Sequence, residues 1–177
     1  MSGKVIWITG LSGAGKTTLA TELVSHLLDN NDKPVLLDGD VFRELLKVPD
    51  LTVDDYSREA RMELSLKYGL MCQLLASQGI TVVIATISMF EEVYTWNRNN
   101  LPNYFEVYLK VPLKELRTRD PKSIYRRYDK GTISNVAGLD LVVDEPHGSD
   151  LVLDFEIQPH IWESKKKLAE YLFSKIK

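Results

Sequence analysis

Gly10, Gly15, Lys16 and Thr17 stand at the offsets of G-x-x-x-x-G-K-T, between the apolar run Val5 to Thr9 and a run with apolar positions at Leu19, Ala20, Leu23, Val24 and Leu27. That pattern is a phosphate-binding one. Gly10, Gly13 and Gly15 carry no Cβ and can take positive φ, so successive N–H groups can converge on a triphosphate at a helix N-terminus. Lys16 would set a point charge on the β/γ oxygens, the Thr17 hydroxyl would bind Mg2+, and Thr18 would add a contact to the α-phosphate.

Phosphoryl transfer also needs a carboxylate to hold the cation or take the acceptor proton, and basic groups to fix the acceptor. Asp38-Gly39-Asp40 leaves the apolar run Val35 to Leu37 at its carboxyl end, the edge at which open α/β sheets hold ligands. Asp40 is expected as general base or Mg2+ partner, and Asp38 as a supporting residue bonded to loop backbone; a plain Asp-Gly turn is the alternative. Arg43, one helical turn after Asp40, can share its face and reach an acceptor phosphate. Arg61 is expected to do likewise, with a salt bridge to Asp54 or Glu63 as the alternative. Ser88 follows the apolar run Thr81 to Thr86, where many phosphate-binding enzymes have an aspartate; it can hydrogen-bond the acceptor or cap a helix before Glu91 and Glu92.

The elements that must position these groups follow from periodicity. Val5 to Thr9, Val35 to Leu37 and Thr81 to Thr86 read as buried strands, and Phe105 to Leu109 and Leu151 to Leu153 as two further strands of a parallel sheet. Helices are expected to Asp29, from Val41 to Lys47, from the capping-box-like Thr52-x-x-Asp55 to Gly79, through Glu92 to Asn97, from Pro112 to Arg119, and from Ile161 to Lys177. Strands alternating with helices give a single three-layer α/β domain over residues 1–177, with a five-stranded parallel sheet and helices on both faces. Seven basic residues between Lys114 and Lys130, ahead of an irregular stretch to Gly148, suggest a lid around residues 122–148 closing over phosphates; a solvated basic face is the bland alternative.

At 177 residues with a net charge of −3, the chain is one domain's worth and is not expected to bind nucleic acid in bulk. Cys72 is the sole cysteine, no apolar run approaches a membrane span, and the first strand starts without a leader, so a soluble cytoplasmic protein is expected.

GLSGAGKTTLA, LLDGDVFR, TRDPKSIYRRYDKG and AGLD, in that order from Lys4 to about Asp154, resemble the adenylylsulfate kinases. The resemblance implies a nucleoside-kinase-like P-loop fold and transfer of phosphate from MgATP to a ribose 3′-hydroxyl. It implies ATP phosphates on Gly10, Leu11, Ser12, Gly13, Ala14, Gly15, Lys16, Thr17 and Thr18, the acceptor hydroxyl near Asp40, and an acceptor phosphate near Arg43. Arg119 and Lys122 fall where the family closes on its nucleotides, and Leu139 lies in its lid motif; a homodimer is common in the family. Ser88 matches a serine described in some members as phosphorylated, a role that direct in-line transfer does not require.

The departures gather on the acceptor side. Leu51 and Val136 stand where the family has two phenylalanines that clamp adenine, Tyr56 replaces an arginine, and Val41 and Glu59 each replace an asparagine. An intact donor side with a changed acceptor side fits a divergent member whose small-nucleotide acceptor is, for instance, cytidine diphosphoramidate. Adenylylsulfate itself is the second expectation. A nucleoside monophosphate or small-metabolite kinase is a third, and a regulatory nucleotide-binding module without catalysis is the alternative from another class, against which Lys16, Thr17 and Asp40 all speak.

Overall fold

The computed structural model describes residues 2–45 and 56–176. Its centre is β1 (Val5–Thr9), whose five residues are all buried because the strand is third of five in a sheet of order β2-β3-β1-β4-β5. The other strands are β2 (Val35–Asp38), β3 (Val82–Ala85), β4 (Tyr104–Lys110) and β5 (Leu151–Asp154), and every pairing is parallel. Between them run α1 (Lys16–Asp29), α2 (Gly39–Leu45), α3 (Arg58–Ser77), α4 (Glu91–Asn100), α5 (Leu113–Arg119) and α6 (Ile124–Asp129), and α7 (Lys165–Lys175) ends the chain.

The twofold alternation of strand side chains makes two cores from this one sheet. Ile6, Ile8, Val107 and Leu109 pack with Leu19 and Leu23 of α1 and Leu172 of α7 on one face. Val5, Trp7, Val82 and Ile84 pack with Tyr68 and Cys72 of α3 and Val93 of α4 on the other. The result is the expected three-layer P-loop architecture, with all strand carboxyl ends at one edge.

Three expectations change in detail. β2 is an edge strand rather than a buried one: it pairs with β3 alone, and Leu36 is 37% exposed. The long helix starts at Arg58, where the Ser57 hydroxyl accepts from the Ala60 N–H at 3.2 Å. Lys47, Leu51, Thr52, Asp54 and Asp55, on which parts of the reading rested, lie outside the described residues. The last helix divides into a 3-10 turn (Pro159–Glu163) and α7, because Ser164 turns its hydroxyl onto the Lys167 N–H and opens a new helix there. Among the described residues, no helix is long and apolar enough to cross a membrane.

Candidate active site

A cavity of about 820 Å³ opens at the carboxyl edge of the sheet, walled by the glycine loop, α2, the start of α3, the segment after β3 and residues 133–137. The loop is built for close approach. At Gly10, φ is 147° and a Cβ would fall 2.7 Å from the Leu109 carbonyl oxygen of β4, so only glycine lets the loop leave β1 there. Gly15, at φ 97°, precedes the first residue of α1 and faces open space, leaving the helix N-terminus clear for an anion.

Lys16 and Thr17 form the first turn of α1. The Lys16 ammonium donates to the Leu11 carbonyl at 2.8 Å. Burial and the neighbouring Lys122 pull its pKa down to about 8, against the opposing pull of Asp40 and Asp38. The Thr17 hydroxyl donates to Asp38 Oδ2 at 2.7 Å, and Asp38 Oδ1 accepts from the backbone N–H groups of Asp40 at 2.9 Å and Val41 at 3.4 Å. Asp38 thus joins the glycine-loop helix to the start of α2. Asp40 points the other way and pairs with Lys122.

The segment after α5 is tied to this floor at several points. The Tyr125 hydroxyl donates to the Ser12 carbonyl at 2.9 Å. Gly138 lies so close to Leu11 that a Cβ there would meet Leu11 Cδ1 at 2.8 Å. Asp140 accepts from the N–H groups of Asn135 at 2.8 Å and Val136 at 2.7 Å, folding the turn that holds Val136 to the cavity wall. Arg119 pairs with Glu115 at 2.9 Å and lies over the rings of Phe155 and Trp162, at 5.0 and 5.7 Å from their centroids. Trp162 and Lys165 line the cavity beside it.

At the opposite end, the guanidinium groups of Arg43 and Arg61 both lie over the Tyr56 ring, 5.0 and 5.1 Å from its centroid. Arg61 also donates to the carbonyls of Tyr56 at 3.0 Å and Asn135 at 2.8 Å. Its expected alternative partner Glu63 pairs with Lys67 instead. Burial first, and then the Arg43 charge, lower the Arg61 pKa.

Ser88 is 4% exposed, at φ 35°, and shares hydrogen bonds with the hydroxyls of Ser65 at 2.7 Å and Thr86 at 2.8 Å. It lines the cavity and does not cap α4, whose Glu91 N–H is taken by Asp144 Oδ2 at 3.1 Å.

Ser12, Gly13, Ala14, Gly15, Lys16, Thr17, Thr18, Asp38, Asp40, Arg43, Arg61, Ser88, Arg119 and Lys122 therefore all wall one cavity. Gly10, Leu11 and Leu139 do not; Leu11 and Leu139 face a second hollow of about 450 Å³ beside β4. Sequence reasoning passed over Tyr56, Ser65, Asn135, Trp162 and Lys165 as lining groups. Tyr56 carried a signal, as an aromatic in a place where the family pattern has arginine. Trp162 carried none, since nothing local ties a turn after β5 to a loop after β1.

The family model described as adenylylsulphate kinase matches residues 2–154. The chain is 36% identical over 168 residues to the cytidine diphosphoramidate kinase of Campylobacter jejuni, covering 95% of each. It is also 36% identical over 154 residues to a probable adenylyl-sulfate kinase of Pyrococcus abyssi, covering 87% of this chain and 86% of that one. Among solved structures it is similar to the APS kinase of Mycobacterium tuberculosis in complex with AMPPNP and APS, with a TM-score of 0.85 and 29% identity over 99% of this chain and 98% of the other.

Proposed function

Since the chain belongs to the adenylylsulphate kinase family and is a phosphotransferase acting on a hydroxyl group, we propose that it transfers the γ-phosphate of ATP to the ribose 3′-hydroxyl of cytidine diphosphoramidate. The observation that carries the acceptor is Val136. Its side chain is 6% exposed and faces the cavity from the lid turn, where the family pattern has a phenylalanine against adenine. Base stacking on an aromatic ring contributes about 1–3 kcal/mol, and a valine supplies none of it. A pyrimidine, with less ring to cover, loses least by that change.

In this reading the donor lies along the glycine loop, with Lys16 on its β/γ oxygens and Arg119 and Trp162 at its base. Thr17 Oγ1 and Asp38 Oδ2, 2.7 Å apart, are an all-oxygen pair that fits Mg2+, with phosphates and water completing its shell. Bound there, the ion would neutralise charge on the transferring phosphoryl group. Lys122, drawn to the donor phosphates, leaves Asp40 free to accept the 3′-hydroxyl proton, while Arg43 and Arg61 hold the acceptor's two anionic groups. Ser88, fixed by Ser65 and Thr86, orients the acceptor by hydrogen bonding rather than carrying phosphate.

Adenylylsulfate is the second reading, favoured because the same two guanidinium groups suit a phosphosulfate as well as a phosphoramidate. ATP-to-ADP turnover with each acceptor supplied separately, and product mass confirming one added phosphate, decides between them. The expected result is a kcat/KM at least about tenfold higher on the cytidine compound. A preference for adenylylsulfate overturns the acceptor assignment and leaves the transfer chemistry standing.

A further inference from the structure

The cavity is rich in hydrogen-bond donors at its acceptor end. Arg43 and Arg61 carry only donors, and the Asn135 backbone carbonyl accepts from Arg61 at 2.8 Å. The nearby hydroxyls of Ser65, Thr86 and Ser88 are bonded to one another, and that of Tyr68 donates to the Gly39 carbonyl at 2.9 Å. Asp38 and Asp40 are occupied at the transfer end, by Thr17 and Lys122. Tyr56 differs from all of these. Its ring lines the cavity and lies under both guanidinium groups, and its hydroxyl bonds to no other described residue.

An acceptor ending in sulfate presents only oxygen acceptors, and donors alone satisfy it. One ending in phosphoramidate also presents N–H donors, and the two guanidinium groups cannot pair with these. We propose that the Tyr56 hydroxyl accepts a hydrogen bond from the terminal NH2 of the acceptor and so selects nitrogen over oxygen at that position. The two guanidinium groups stacked on the ring hold the adjoining anionic oxygens and fix where the hydroxyl stands. This inference rests on the cytidine diphosphoramidate reading above and adds to it the residue that recognises the terminal group.

The test compares cytidine diphosphoramidate with CDP, which differs from it by oxygen in place of the terminal nitrogen, in the full-length protein and in Tyr56→Phe. Phenylalanine keeps the ring under both guanidinium groups and removes only the hydroxyl. Wild type is expected to favour the amidate, and Tyr56→Phe to lose about tenfold of that preference through acceptor KM, with ATP KM and melting temperature unchanged. A wild type that does not distinguish the two compounds overturns the inference. So does a variant that loses equally on both, since a merely structural tyrosine would behave that way. Wild type that turns over adenylylsulfate alone defeats the underlying reading instead. The two failures are therefore separable within one acceptor panel.

Discussion

The two ends of the cavity are built in different ways. The end we assign to the donor is floored by the glycine loop, with Arg119 and Trp162 beside it, and the loop's shape is set by backbone: positive φ at Gly10, Gly13 and Gly15, and a helix starting at Lys16. The end we assign to the acceptor draws Arg43 from α2, Tyr56 from before α3, Arg61 from within it, Ser88 from beyond β3 and Val136 from the turn that Asp140 folds. Its contacts are side chain on ring and side chain on distant carbonyl, as in Arg61 on Asn135. An end made of backbone is hard to alter piecemeal. An end made of separate side chains can exchange one without disturbing the rest, and Tyr56 and Val136, read from the sequence as departures from the family pattern, both stand there.

The largest expected effect tests that division directly. Lys16→Ala removes the donor end's point charge and should lower kcat/KM about a thousandfold or more. The loss should be the same factor on every acceptor, with the melting temperature little changed, since the hydrogen bond lost is one to a loop carbonyl. Acceptor-dependent losses would mean that the two ends are not separable.

Next in size come the two carboxylates at the junction of the ends. Asp40→Asn should lower kcat by about a hundredfold or more with both KM values nearly constant, as expected for a general base. Asp38→Asn weakens the partner of Thr17 and should act mainly through ATP, raising its KM and the Mg2+ concentration needed for half-maximal rate, with kcat down about tenfold. A magnesium titration of both variants checks this. The opposite ranking would exchange the two roles.

What could be read in advance follows the same line. The five strands, the glycine loop and Asp38-Gly39-Asp40 are each written in consecutive residues; the strands and the loop stand where they were expected, while Gly39 and Asp40 already belong to α2, ahead of the helix start expected at Val41. The edge position of β2 was not readable, because a strand's own run of valine and leucine does not say how many neighbours it will have. Nor was it readable which side chain of the turn Val136 to Asp140 faces the cavity. That depends on Asp140 gripping the amides of Asn135 and Val136 while Gly138 seats against Leu11, which turns Val136 inward and Leu139 toward the second hollow. Arg61 illustrates the same point: Tyr56 is close to it in sequence, but Asn135 becomes its partner only once the turn that Asp140 folds is in place.

The smallest expected effect separates the two ends by pH. With its pKa lowered to about 8 by burial and by Lys122, Lys16 is charged below that pH in the free protein and loses its proton above it. Phosphates stabilise the charged form, so the bound state has the higher pKa, and ATP binding at alkaline pH must take up a proton. ATP affinity should therefore be flat below about pH 8 and fall above it, by at most about tenfold per pH unit until the bound-state pKa is reached. Calorimetry in buffers of different ionisation heat should show the matching proton uptake, and Lys16→Arg should abolish both. Acceptor affinity should not follow this profile, because the guanidinium groups of Arg43 and Arg61 keep their charge throughout the range. If acceptor affinity declines in step with that of ATP, Lys16 reaches across the junction, and the donor charge helps to hold the acceptor as well.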